Sequence, residues 1–153
     1  MKRSAGAVVD TSERKRTAVE DAMNQLCCSI TTVLPVDPVT AEDGFLYNRK
    51  EIEEWLRNNK RSPMTNKPMG AKLLTSHQVR NTIRSMVDAG VFTGDKVDAV
   101  LGQKKEEELT NAWWKLAESG DQTAMMELGW RYRKGTGGLE LNWTKARKWF
   151  EKA

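Results

Sequence analysis

The chain has 153 residues, of which 39% are hydrophobic and 30% charged, enough for one ordinary domain or two small ones. Its net charge of +4 comes from interspersed acids and bases, so no basic face announces nucleic acid, and nucleic-acid binding is not expected. The one stretch that tempts a membrane reading, residues 26–41, contains Pro35, Asp37 and Pro38 and falls short of the roughly 20 apolar residues a bilayer needs, so no membrane partner is expected.

Residues 1–25 form a basic segment, read as mostly disordered with room for a short helix. Lys2 and Arg3 precede Arg14, Lys15 and Arg16, with no apolar stretch between them to make a secretory signal. The two clusters are similar to a bipartite nuclear-import signal but fit a solvated tail better, so the expected location is cytoplasmic, with the nucleus as the alternative. Cys27 and Cys28 are the only cysteines, and neighbours in sequence bond only in strained geometry; a reducing compartment fits.

From residue 26 to residue 90 the pattern is mixed α+β. Residues 29–33 and 45–47 read as short extended pieces, joined by a turn-rich loop that Pro35, Pro38 and Gly44 keep from being helical. Asn48 with Glu51 has the form of a capping box, and Ile52, Trp55 and Leu56 follow at helical spacing, which predicts a short amphipathic helix ending near Asn59. Pro63, Pro68 and Gly70 then enforce a second loop. Thr75 with Gln78 offers a further capping box, before the stripe Val79, Ile83, Met86 and Val87 of a second helix that stops at Gly90. The predicted order is strand, strand, helix, loop, helix, with the chain's best linker at residues 90–94. A linker and helix over 91–108 lead into a Trp-rich all-helical segment, 109–153.

In residues 26–90 the set Cys28, Ile30, Asp37, Pro38, Val39, Gly44, Tyr47, Arg49, Ile52, Trp55, Leu56, Pro63, Thr65, Pro68, Leu73, Val79 and Ile83 resembles the U-box family, the zinc-free relative of the RING domain. A RING domain needs eight Cys or His ligands for two zinc ions, and this chain has three such residues, so a RING-like fold here must replace metal with hydrogen bonds and packing. Neither a metal nor a cofactor is expected. The resemblance implies a small antiparallel sheet, a central helix between two loops and a closing helix. It further implies a polar network of Asp37, Asn48, Arg49, Thr65 and Ser76 and a core of Tyr47, Leu56, Leu73 and Ile83.

The same resemblance implies a RING-type ubiquitin ligase with no covalent intermediate of its own. Ile30, Thr32, Leu34, Trp55 and Pro63 would line a shallow groove for a ubiquitin-charged conjugating enzyme; Trp55 reads equally as core. Asn66 and Lys67 stand where the family often has a ubiquitin-positioning Arg or Lys. Ser29, Asn48, Ser76 and Thr32 also depart from the family's frequent residues. The other reading is a non-catalytic interaction adaptor, and the resemblance leaves room for a homodimer.

Residues 109–153 repeat themselves: Trp113, Trp114 and Ala117 recur, 36 positions later, as Trp149, Phe150 and Ala153. With Ala124, Leu128, Gly129, Tyr132, Gly135, Gly138 and Ala146, this segment is similar to Sel-one-like repeats, relatives of the tetratricopeptide repeat. It would be an incomplete array that recruits a protein substrate or adaptor; a plain helical hairpin is the alternative.

Overall fold

A computed structural model describes residues 10–153; Lys2 and Arg3, the first half of the basic motif, lie outside the described residues. The chain divides after Val100 into two compact units.

The first unit opens with α1, Thr11–Gln25, capped by the Asp10 side chain. The tail expected to be mostly disordered is thus a 15-residue helix over this span. Its exposed surface is polar throughout, which hid it; only Val19 and Met23, four residues apart, reach a core, and tertiary contact holds them there. A three-stranded antiparallel sheet follows in the order β2-β1-β3, with β1 Pro38–Ala41, β2 Leu46–Asn48 and β3 Leu73–Thr75. Between β2 and β3 lie α2, Arg49–Asn58, and the second loop; α3, His77–Asp88, closes the unit's regular structure.

The first strand is not where the sequence put it. Residues 28–33 form a tight turn closed by Thr32 N–H to Cys28 O and Cys28 N–H to Val33 O, both at 2.8 Å, with Thr32 at a φ of 61°, outside any strand conformation. The central strand begins instead at Pro38 inside the supposed loop, because proline at the first position of a strand removes no necessary ladder donor. At three residues, β3 was too short to register as a period-two pattern. Gly44, at a φ of 82°, makes the β1–β2 turn in a left-handed conformation that residues with a Cβ rarely adopt.

Two cores sit on this frame. Cys28, Val39, Ala41, Tyr47, Ile52 and Met69 form one, with Leu56 and Leu73 against it. Leu34, Ile83, Val87, Phe92, Val97 and Val100 form the other, joined by Val19, Met23, Leu26, Cys27 and Val79. Burial of each large aliphatic side chain is worth about 1.5–3 kcal/mol. The second core corrects the expected linker: the otherwise exposed residues 90–94 are pinned to the first unit at Phe92, which is 3% exposed and whose N–H bonds Met86 O. The chain turns back on itself there because a buried phenylalanine outweighs the flexibility of the flanking Gly90 and Gly94.

The second unit, Leu101–Ala153, is all-helical. α4 runs unbroken over Asp98–Glu118, so the expected separate helix ending at 108 does not exist. α5, Gln122–Lys134, is capped by Asp121, and α6, Trp143–Lys152, by Asn142. Ala117, Ala124 and Leu128 are buried among Trp113, Trp114, Met125, Leu139 and Trp149. Trp114 meets Trp149 edge-on at 4.9 Å, which brings the two ends of the 36-residue repetition together. Arg131, 8% exposed, bonds Glu127, Glu106 and Thr110, so its charge is paired within the unit.

Candidate functional site

Two loops of the first unit, residues 28–37 and 59–70, approach across an open cavity of about 570 Å³ whose wall includes Ser29 and Thr32 from one and Met64 from the other, with Phe45 between. Hydrogen bonds tie both loops to the sheet. Ser29 donates to Leu46 O through its N–H and its hydroxyl, both at 3.0 Å. Asp43, in the β1–β2 turn, accepts from Ser62 Oγ at 2.6 Å and Tyr47 Oη at 2.7 Å, and Ser62 Oγ in turn accepts the N–H groups of Met64 and Thr65. Ser62 is 2% exposed, so this pairing is what allows a polar residue at the root of the second loop. Within that loop Ser62 N–H bonds Lys67 O, Asn66 N–H bonds Ser62 O, and Arg61 bridges to Pro68.

A second cluster gathers on Asp37. Arg49 Nε bonds Asp37 Oδ2 at 2.8 Å, Arg80 Nη2 bonds Oδ1, and Arg49 Nη2 reaches Thr75 Oγ1. The Asn48 side chain accepts the Asp37 N–H at 2.9 Å and donates to Glu51, so Asn48 does not cap α2 by its side chain as the capping-box pattern implied. The competing donor, the Asp37 N–H, decides that. The expected Thr75 cap is not formed either: Thr75 ends β3 and its hydroxyl accepts from Arg49, while Ser76 at the N-cap position pairs its hydroxyl with Thr40 at 3.1 Å, so α3 has no side-chain cap.

Of the expected network, Asn48 and Arg49 each bond Asp37, and Ser76 bonds Thr40 of β1. Thr65 is apart from them, its bonds confined to the second loop. Asp43, Ser62 and Arg80 were missed. Asp43-Gly44 is a turn signal that marks such an acceptor; for Arg80, half-exposed on α3, no sequence signal existed.

Among the expected groove residues, Ile30 and Trp55 are each 37% exposed, Thr32 is exposed and Pro63 is half-buried. Leu34 is a correction: at 1% exposure it belongs to the second core, because its N–H bonds Lys96 O and turns the side chain inward. Trp55 is not core; its indole donates to Arg61 O at 2.9 Å and braces the second loop. Asn66 and Lys67 are exposed, and Asn66 sits at a φ of 58°. Arg61 Nη1 donates to Asn66 O at 3.0 Å, so a guanidinium lies against the residue at which the sequence offered only an amide. Met64 and Phe45, 48% and 38% exposed, are further apolar groups at the cavity that sequence reasoning passed over.

Burial pushes the Cys27 thiol up, and its Sγ donates to Met23 O, so it is held as thiol rather than nucleophilic thiolate. Burial and the Asp43 carboxylate push the Tyr47 phenol well above its usual range and keep it a donor. Among the described residues no group of three Cys, His, Asp or Glu side chains is placed to hold a metal.

The U-box domain family model matches residues 22–89, over the sheet, α2, α3 and both loops. Residues 22–89 thus resemble a U-box domain. Similar proteins share this part of the chain. A WD repeat, SAM and U-box domain-containing protein of Gallus gallus is 43% identical over 56 residues, 36% of this chain and 12% of its own. A putative E3 ubiquitin-protein ligase of Lotus japonicus is 43% identical over 61 residues, 38% of this chain and 4% of its own. A probable bifunctional E2/E3 enzyme of Acanthamoeba polyphaga mimivirus is 31% identical over 65 residues, 42% of this chain and 5% of its own. The chain thus spans a small fraction of these relatives' lengths.

Proposed function

We propose that this chain is a U-box ubiquitin ligase: it docks a ubiquitin-charged conjugating enzyme on its two loops and promotes transfer to a substrate lysine recruited through the C-terminal helices. The observation that supports it best is the pair of loops braced beside one cavity, the first by Ser29 to Leu46 O and the second by Ser62 to Asp43, with Ile30 and Trp55 exposed on this unit and Met64 exposed at the cavity. Exposed apolar side chains on braced backbone suit a small transient interface, where a few anchors carry the energy. The U-box relatives named as ligases point the same way.

In this reading the lysine amine attacks the thioester on the conjugating enzyme's cysteine, an amide bond to ubiquitin forms, and the enzyme's thiolate leaves. The ligase contributes proximity and orientation, not a nucleophile. Arg61 supplies the positioning cation near Asn66, since its fork is anchored by one bond to Asn66 O and keeps further donors for ubiquitin or the conjugating enzyme. The all-helical unit, its helices joined by the Trp114–Trp149 contact, serves as a Sel-one-like recruiting arm.

Autoubiquitination with a panel of conjugating enzymes tests this. Ile30→Ala and Pro63→Ala should each weaken conjugating-enzyme binding about tenfold. Arg61→Ala should leave that binding nearly unchanged while slowing ubiquitin discharge. Silence with every enzyme, from a folded chain, would leave the adaptor reading instead.

A further inference from the structure

One surface of the helical unit has chemistry of its own. Residues 130–152 contain seven Lys and Arg against two Glu, a balance of +5 in a chain whose total is +4. Trp130 and Trp143 are 42% and 61% exposed, a large indole area left to water. The Arg133 guanidinium lies over both rings, at 5.1 and 5.6 Å from their centroids. Arg131, two residues away, is buried in ion pairs; no carboxylate among the described residues pairs with Arg133. Beside it a cavity of about 350 Å³ is bounded by Arg133, Trp143, Ala146, Arg147, Phe150 and Glu151. That volume is at the small end of ligand sites, fit for one or two side chains.

We infer that this cavity docks an acidic peptide segment, its carboxylates paired with Arg133 and Arg147 and an apolar side chain inserted where Trp143 and Phe150 line the wall. Charge complementarity selects that occupant. Arg133 is held in place by two indoles and keeps its N–H donors, so it meets a carboxylate at little entropic cost. Arg147 pairs only with Glu151, four residues on, and both are largely exposed; such a surface pair is weak and yields readily to an incoming carboxylate. A single-stranded nucleic acid fits less well. Each indole already carries a cation on one face, which removes that face from base stacking.

The inference rests on reading the C-terminal helices as the recruiting arm, and it is separable from conjugating-enzyme docking. The test is fluorescence anisotropy of the full chain with a labelled peptide of glutamates flanking a Leu-Phe pair, against the same peptide with lysines for glutamates and against a labelled oligouridylate. The acidic peptide should bind with micromolar affinity, weakening about tenfold in Arg147→Glu and in Trp143→Ala, both exposed positions whose folding circular dichroism verifies. Absence of saturable binding, preference for the lysine peptide or the oligouridylate, or unchanged affinity in both variants overturns the inference. Autoubiquitination measured on the same variants should stay at the parent level, so that loss of the peptide site and loss of ligase activity are read separately.

Discussion

The Asp43 carboxylate accepts hydrogen bonds from Ser62, Tyr47 and the Phe45 N–H. Burial alone would raise its pKa, but these three donors outweigh burial and hold it below its ordinary 3.8. A carboxyl depressed in the folded state adds stability above its unfolded pKa, and that stability is lost as pH falls through the folded value. Stability of the first unit should therefore drop below about pH 4, and Asp43→Asn should flatten that part of the profile in denaturant titrations. Ser62→Ala, which removes one of the three donors to Asp43 and strands two loop N–H groups, should cost about 1–3 kcal/mol. Thr32 poses the opposite case: a β-branched residue at a φ of 61° is strained. Thr32→Gly relieves that strain, offset by glycine's greater unfolded-state entropy, and should raise stability by about 0.5–1 kcal/mol in the same titrations.

At the scale of elements, α1 matters because Val19 and Met23 cover the second core. Deleting residues 1–25 should lower the melting temperature of the first unit and increase binding of a hydrophobic dye, with the sheet's register unchanged in amide-exchange patterns. In the second unit, α5 and α6 meet at Gly129, where an added Cβ would stand 2.7 Å from the Phe150 ring. Gly129→Ala must push the helices apart or rotate that ring, and should cost about 1–3 kcal/mol in thermal unfolding of the helical unit. Gly137 is more constrained still, since its φ is 67° and a Cβ would fall 2.2 Å from Thr110 Oγ1. Both glycines look like turn or packing residues in the sequence; only the fold reveals which atom each one makes room for.

Across the molecule, hydrogen bonds and two apolar cores do for the loops what eight metal ligands do in a RING domain. A chelator should accordingly leave the melting temperature and circular dichroism unchanged, and a chelator-sensitive transition would contradict that account. Much of this was legible in one dimension. The apolar spacing of Ile52 and Leu56, and of Val79, Ile83 and Val87, determined α2 and α3, because helical periodicity is a local property. The two Cys and one His were visibly too few for the eight ligands of a RING domain. What the linear chain left open were choices between competing partners: whether Asn48 caps a helix or bonds Asp37, whether Leu34 faces a groove or the core, whether residues 11–25 dangle or pack. Each of those is settled by which distant residue arrives first at a shared acceptor or apolar surface, and that distance exists only once the chain has folded.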